Sequence, residues 1–215
     1  MGNVRIPFEP EKYYHVYNHG NGNENIFRND DNYYYFLRKC HEHLSPILAT
    51  YAYCLMPNHF HFLVRIKSEE ELLKTIKLPP QGLEALVGVH HLPEPPNYSK
   101  IVSQHFSNFL NGYTQAFNKQ HQRRGSLFLD NIRRKSVETE NYFTQLIFYI
   151  HNNPVHHGFT KDLADWKFSS YWAFLLNKET KLQKEQVLEW FGGQNDYKNF
   201  HIQNVGKLTI PIDFE

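Results

Sequence analysis

Two histidines separated by one residue could bind a metal ion together, provided that they lie on a β-strand. They are His59 and His61, within an apolar run over residues 59–66. Side chains two positions apart on a strand share one face and lie about 7 Å apart, close enough to converge on one ion. The alternate residues would face the other way, and all are apolar: Phe60, Phe62, Val64 and Ile66. The register therefore fixes the histidine face, although two imidazoles that merely line the sheet are the simpler interpretation.

The same His-x-His spacing occurs at His41 and His43, in a segment with helical periodicity. Positions two apart on a helix point in different directions, so we assign this pair to the surface or to packing. His156 and His157 are adjacent residues in a predicted loop, where two neighbouring side chains do not converge on an ion from one face. We interpret them as structural.

A second constellation lies in a predicted helix. Tyr149 and Asn153 are four positions apart and so lie on one helical face. A tyrosine near a helix end is usually a packing residue with a hydrated hydroxyl, so this pair alone indicates function only weakly. The buried stripe of the same helix would consist of Phe143, Leu146, Ile147 and Ile150.

The remaining pattern predicts the elements that must position these side chains. Alternation and helical periodicity give the order β-α-β-β-α-β-α, with strands over residues 13–20, 47–55, 59–66 and 127–137 and helices over residues 32–44, 101–120 and 139–153. Asp30 and Asp31 are the predicted cap of the first helix, and Pro154 is the predicted end of the last. The order predicts an α+β fold: a ferredoxin-like or RRM-like antiparallel sheet with helices packed on one face.

Length and composition limit the classes of protein. Of the 215 residues, 40% are hydrophobic and 21% are charged, so wholesale disorder is excluded. No apolar run approaches the roughly 20 residues of a membrane-spanning helix. With two cysteines and no apolar signal segment, we expect a cytoplasmic protein with no membrane partner. We expect one domain over residues 1–178, with a loop-rich insertion near residues 68–99, and a C-terminal helical extension over residues 179–215.

The net charge is only +1, yet the cations are unevenly distributed. Between positions 119 and 135 there are six cations and one anion, Asp130. Such a patch could follow a phosphate backbone, although a solvated loop is the simpler interpretation of a patch in isolation. The candidate DNA-binding residues are Lys119, Arg123, Arg124, Arg133, Arg134 and Lys135.

Together, the two constellations resemble the single-tyrosine HUH transposases, which include insertion-sequence transposases and REP-associated tyrosine transposases. The hallmark of that family is His-hydrophobe-His on a central strand and a nucleophilic tyrosine on a later helix. The matching segments here are residues 56–64, with His59-Phe60-His61, and residues 149–155, with Tyr149. Residues 14–20 and 166–171 are also similar to the family, so the resemblance covers about residues 12–175.

The resemblance implies a metal-dependent endonuclease and strand transferase that acts on single-stranded DNA at hairpins or palindromic repeats. Tyr149 would be the nucleophile and would form a 5′-phosphotyrosine, while His59, His61 and Asn153 would bind Mg²⁺ or Mn²⁺. Many insertion-sequence members carry Gln where this chain has Asn153, and Asn followed by Pro-Val is typical of the REP-associated branch. The partners implied are single-stranded or hairpin DNA and a second copy of the chain, in a homodimer.

Two other functions stay open. One is a non-catalytic RRM-like protein that binds nucleic acid, in which the histidines only line the sheet. The other is a different HUH nickase, such as a replication initiator or relaxase, which often has a second tyrosine one helical turn from the first. Positions 145, 146, 152 and 153 are Gln, Leu, Asn and Asn, so the single tyrosine favours a transposase.

Overall fold

The strands and helices follow one another in the predicted order. A computed structural model describes residues 6–22, 24–75 and 96–205. The elements are β1 (Tyr13–His19), α1 (Asp30–Leu44), β2 (Leu48–Met56), β3 (His59–Ile66), α2 (Glu69–Thr75), α3 (Tyr98–Gln120), β4 (Arg133–Val137), α4 (Glu140–His156), α5 (Tyr171–Leu175), α6 (Lys184–Phe191) and α7 (Gln194–Asn204). A short 3-10 helix, Leu163–Asp165, lies between α4 and α5.

The four strands form an antiparallel sheet in the order β2-β3-β1-β4. The strand that carries His59 and His61 is therefore internal, with β1 on one side and β2 on the other. The class and the sheet of the predicted fold are confirmed. An internal position matters for a site because both neighbouring strands hold the register of β3.

The first face of the sheet is the one that the apolar alternation of β3 predicts. Phe60, Phe62, Val64 and Ile66 are buried in one core with side chains of α1 and α3. Phe36 of α1 lies near the centre of this core, with its ring centroid 5.2 Å from that of Phe60 and 4.7 Å from that of Phe109 on α3. The apolar half of the β3 pattern is thus used entirely for packing.

The second face requires one correction, because helices cover this side of the sheet as well. The predicted stripe of α4, including Leu146, Ile147 and Ile150, packs with Tyr51 and Leu63 of the sheet. Apart from the histidines, the buried side chains on the second face of β2 and β3 are apolar. A helix that packs on this face removes them from water. As a result, α4 lies mainly over β2 and also contacts β3, the strand that carries His59 and His61.

The end of α4 differs from the prediction. Pro154 does not end the helix, which continues to His156. Proline removes a single backbone donor, and the next ones find acceptors: His157 N lies 3.0 Å from Asn153 O, and Phe159 N lies 2.8 Å from Pro154 O. His157 is therefore held at the C-terminal end of α4 instead of in a free loop.

Two other boundaries differ. The fourth strand begins at Arg133 and not at residue 127, since Asn131 has a φ of 65°, a left-handed conformation that a strand does not accept. The cap of α1 is Asn29, whose side chain accepts a hydrogen bond from Asn32 N at 3.1 Å, and the predicted Asp30–Asp31 pair lies in the first turn.

The extension packs on the same core as α4. Val187 of α6 and Tyr197 of α7 are buried in the second-face core, and the Trp190 ring stacks on Phe143 of α4 at 4.6 Å. The division at residue 178 stays a prediction. Residues 76–95 of the predicted insertion and residues 206–215 lie outside the described residues. Among the helices that the structure describes, none has the length and apolar composition to cross a membrane.

A buried chain of hydrogen bonds connects α4 to α7 and β2. His151 Nδ1 lies 3.0 Å from His201 Nε2, and His151 Nε2 lies 2.7 Å from Ser170 Oγ. His201 Nδ1 must carry its proton, because it lies 2.8 Å from the Tyr197 carbonyl oxygen. It follows that His151 donates to His201 and accepts from Ser170, whose oxygen accepts in turn from Tyr53 N at 2.9 Å. All the side chains of this His151–His201–Ser170 network are buried.

Candidate active site

His59 and His61 lie side by side beneath α4, on the face that the strand alternation predicts. Their ring centroids are 5.1 Å apart, with the ring planes at 82° to each other. The exposed fractions are 9% for His59 and 5% for His61, so both imidazoles are largely removed from water. This is a buried pair, unlike the exposed His41 on α1.

Helix α4 brings the two other candidate residues to this pair. The Asn153 side chain is buried, and its Oδ1 lies 3.3 Å from His59 Nε2. The Tyr149 ring is partly buried, with its centroid 5.5 Å from that of His61. Strand β3 and helix α4 thus bring their candidate residues together within a single chain. His59 and Asn153, which are in contact, are 94 positions apart in the sequence.

The contacts of His59 indicate which of its two ring nitrogens carries the proton. Its Nδ1 lies 2.8 Å from Asn58 Oδ1, and its Nε2 faces Asn153 Oδ1. The Asn153 amide is oriented by its own Nδ2, which donates to the Tyr149 carbonyl oxygen at 3.2 Å. Burial lowers the pKa of His59 to about 4, and the nearby His157 and His19 act in the same direction. The contact with Asn153 acts in the opposite direction and raises this pKa. A neutral imidazole donates only once, and the shorter contact takes that proton.

The lone pair of His59 Nε2 therefore lies next to the carbonyl oxygen of Asn153. Two lone-pair donors that face each other are the arrangement that a cation between them would stabilise. Among the residues that the structure describes, no group of three or more His, Cys, Asp or Glu side chains could hold a metal ion. The candidate set here is instead two imidazoles and one amide, which fits a divalent cation with open coordination positions.

Strand β1 contributes three further side chains that the sequence analysis missed. His15 Nε2 lies 3.0 Å from His61 Nδ1, the His19 ring stacks on that of His59 at 5.6 Å, and the Tyr17 ring stacks on that of His61 at 5.7 Å. The sequence does show that these three residues alternate along β1 and share one face. It does not show that β1 is the strand beside β3, because that pairing depends on segments far apart in the chain.

The electrostatic environment keeps the central imidazoles neutral. Burial lowers the pKa of His15 to about 3, with a further contribution from Lys135. Burial also holds the pKa of His61 well below its usual value, and the neighbouring histidines act in the same direction. Because His61 Nδ1 is engaged by His15, its Nε2 is the nitrogen that would bind an ion.

His157 lies beside the candidate site, although the sequence placed the 156–157 pair in a loop. Its ring centroid lies 5.1 Å from that of His59, although the residue is exposed. The predicted loop would have left this side chain undirected, whereas the continuation of α4 past Pro154 directs it to the site. His156 is also exposed, at the last position of the helix.

The six cations of the basic patch are divided by the structure. Arg133 and Lys135 lie directly opposite Tyr17 and His15 in the register of β4 with β1. They therefore share the histidine face of the sheet. Arg134 alternates to the other face, where it is 8% exposed, donates to the Ile6 carbonyl oxygen and lies over the Phe8 ring at 4.1 Å.

The other three cations lie near the end of α3. Arg123 is bound to Glu24 at 3.2 Å and to Ser126 O at 2.8 Å, while Lys119 and Arg124 are exposed. The six cations are therefore divided between the two faces of β4 and the end of α3, and Arg133 and Lys135 are the two that share the histidine face.

A cavity of about 620 Å³ connects the histidine face to the surface. It has room for a nucleotide-sized group. The residues that line it include Tyr17, His59, His61, Arg133, Tyr149 and Phe159.

Comparisons with known proteins show the fold. Neither a protein-family model nor a curated protein matches the sequence. Among solved structures, the chain is similar to a REP-associated tyrosine transposase bound to a REP hairpin, with a TM-score of 0.55 and 14% identity over 81% of this chain and 86% of that chain. At this identity the comparison establishes that the two chains share a fold.

Two further solved structures overlap with the chain less well. They are a bacterial tRNA(His) guanylyltransferase-like protein in complex with ATP (TM-score 0.37, 13% identity, 76% of this chain and 70% of that chain) and with GTP (TM-score 0.38, 12% identity, 74% of this chain and 73% of that chain). These TM-scores are too low to carry an argument about fold or function.

Proposed function

We propose that the protein is a metal-dependent endonuclease and strand transferase for single-stranded DNA, a transposase of the single-tyrosine HUH type. The observation that carries the proposal is the meeting of Tyr149 with the His59–His61 pair and Asn153 in one chain. The fold is shared with a tyrosine transposase whose structure contains a REP hairpin. We propose hairpin or single-stranded DNA as the substrate on that basis.

In the proposed reaction, Tyr149 Oη attacks the phosphorus of the scissile phosphodiester. A phosphorus–oxygen bond to Tyr149 forms, and the bond to the 3′ oxygen breaks. The phenol proton passes to solvent, and the leaving 3′ oxygen takes up a proton to become a 3′-OH. The product is a 5′-phosphotyrosine, and its attack by another 3′-OH rejoins DNA without ATP because the ester retains the bond energy.

His59, His61 and Asn153 would hold the divalent cation that this chemistry requires. A free phenol has a pKa of about 10 and is a poor nucleophile at neutral pH. When bound, Mg²⁺ or Mn²⁺ neutralises the charge of a scissile phosphate and orients it. The residues themselves contribute neutral, buried imidazoles with available lone pairs, and His15 and Asn58 fix the ring orientations through hydrogen bonds.

Arg133 and Lys135 would contact the DNA backbone, because they share the histidine face with the proposed nucleophile. The homodimer stays a prediction. The short intramolecular distance between Tyr149 and His61 supports a nucleophile that acts in its own subunit, whether or not two copies associate.

The direct test is a covalent adduct. A pool of hairpin DNAs with single-stranded flanks is labelled at the 3′ end and incubated with the full chain and Mn²⁺. We expect a labelled band that migrates with the protein in SDS, and a matching 5′-labelled pool should release a shortened fragment ending in a 3′-OH. Binding without any adduct, in Mn²⁺ and in Mg²⁺, would instead support the non-catalytic RRM-like alternative.

Loss of the metal site has a separate expected result. His59→Ala, or wild-type protein in EDTA, should form the adduct at least about 100-fold more slowly, since even outer partners of a metal ligand contribute 10- to 100-fold. A cooperative thermal transition by circular dichroism should persist. The matched control is His41→Ala, from the second His-x-His pair, which is exposed on α1 and should retain the wild-type rate. Equal rates for the two variants would contradict the metal assignment.

A further inference from the structure

Phe159 is an exposed aromatic side chain at the opening of the candidate site. Its exposed fraction is 48%, and it lines the same cavity as Tyr149 and Arg133. About half of the Phe159 side chain is therefore available for contact with a ligand in the cavity. No step of the proposed reaction uses this side chain.

The backbone of Phe159 is fixed by the turn that follows α4. Gly158 has a φ of 71°, a left-handed conformation that glycine adopts without strain. Gly158 N lies 3.0 Å from Val155 O, and Phe159 N lies 2.8 Å from Pro154 O, so the carbonyl groups at the helix end are paired. The turn places Phe159 at a defined position relative to Tyr149.

The ring of Phe159 is also supported from behind. Its centroid lies 5.9 Å from that of Trp166, with the planes at 56°. Trp166 is anchored in turn, because its Nε1 donates to the Leu55 carbonyl oxygen of β2 at 3.0 Å. The Phe159 ring therefore contacts a fixed indole on one side, while about half of the side chain stays exposed, and the residue lines the cavity.

We propose that Phe159 is a stacking platform for an unpaired nucleobase next to the scissile phosphate. The inference rests on the proposed function and names the ligand of one part of the site: a single-stranded nucleotide, held by its base on Phe159 and by its phosphate near Arg133. Stacking on an aromatic ring tolerates any base, because every base has a π-face. The platform would therefore orient the strand without reading its sequence.

The test uses a hairpin DNA in which 2-aminopurine replaces one base at a time along the single-stranded flank. Stacking quenches the fluorescence of this base analogue. With wild-type protein in EDTA, we expect quenching at one flank position on binding. Phe159→Ala should lose that quenching and weaken binding about tenfold, whereas Phe159→Trp should retain both.

Two controls separate stacking from other effects. Phe159→Leu keeps apolar bulk without a π-face and should behave like Phe159→Ala. Tyr34→Ala removes an aromatic side chain with 59% exposure beside a different groove, on α1, and should change neither quenching nor affinity. An unchanged dissociation constant and quenching profile in Phe159→Ala would overturn the proposal, and so would a Leu variant that behaves like wild type.

The readout does not depend on cleavage, so the two proposals can fail separately. Quenching that depends on Phe159, in a protein that forms no adduct, would retain the platform and remove the endonuclease. If the adduct forms but neither quenching nor affinity changes in Phe159→Ala, the endonuclease would be retained and the stacking platform removed. Wild-type protein that binds none of these DNAs would overturn both.

Discussion

Replacing Tyr149 by Phe should leave hairpin binding intact and abolish the covalent adduct. The substitution removes a single oxygen atom, the one that would bond to phosphorus in the proposed reaction. We expect the adduct to fall at least about 1000-fold, as is found when an enzyme loses its nucleophile. The measurement is the SDS-resistant band on 3′-labelled DNA, with the dissociation constant of the variant determined in parallel.

Tyr17→Phe is the matched control for Tyr149→Phe, because the rings of both tyrosines contact that of His61. The Tyr17 ring centroid lies 5.7 Å from that of His61, nearly the same separation as for Tyr149. Tyr17, however, is only 5% exposed and stacks parallel to the imidazole within the sheet, whereas Tyr149 is partly exposed. Tyr17→Phe should therefore retain the adduct. Loss of the adduct in Tyr17→Phe and its survival in Tyr149→Phe would transfer the nucleophile to β1.

Period-two patterns along the chain predicted the central part of this fold. Phe60, Phe62, Val64 and Ile66 had to share a face, and the structure buries all four. The same rule applied to β4 would have separated Arg134 from Arg133 and Lys135, since adjacent strand residues face opposite sides. Counting charge along the sequence ignored this alternation, so the basic patch was treated as one surface although the structure divides it.

Contacts between distant segments account for most of what the sequence did not predict. Nothing local shows that β1 pairs with β3, so His15 was not recognised as the partner of His61. The end of α4 was misplaced because Pro154 is a helix breaker in isolation, whereas here the following donors reach carbonyl groups. That one error also removed His157 from consideration.

The second large effect concerns the stability of α4 itself. His151 lies two positions from Tyr149, so on a helix the two side chains point in different directions. Tyr149 faces the candidate site, and His151 faces the His151–His201–Ser170 network. Burial holds the pKa of His151 well below its usual value and that of His201 at about 4, so both imidazoles are neutral and each can donate only one hydrogen bond.

His151→Leu should lower the free energy of unfolding by about 3 kcal/mol. Leucine is of similar size but leaves His201 Nε2 without its donor, and an unpaired buried group costs about 1–3 kcal/mol. The Ser170 hydroxyl also loses its 2.7 Å acceptor and keeps only the longer contact with the Tyr53 carbonyl oxygen at 3.2 Å. The measurement is urea unfolding followed by circular dichroism. His156→Ala, on the same helix but exposed, should change the free energy of unfolding by less than about 0.5 kcal/mol.

A double-mutant cycle distinguishes the loss of a hydrogen-bonded network from the loss of packing. His201→Leu alone leaves His151 Nδ1 with only the longer contact to Tyr197 Oη at 3.3 Å, but the double variant His151→Leu with His201→Leu removes both partners of the hydrogen bond between the histidines. The double variant should therefore be more stable than the sum of the single losses by at least about 0.5 kcal/mol. Strict additivity would mean that the hydrogen bond between the two histidines does not contribute to stability. In that case the loss in His151→Leu would come from packing and from the contact with Ser170.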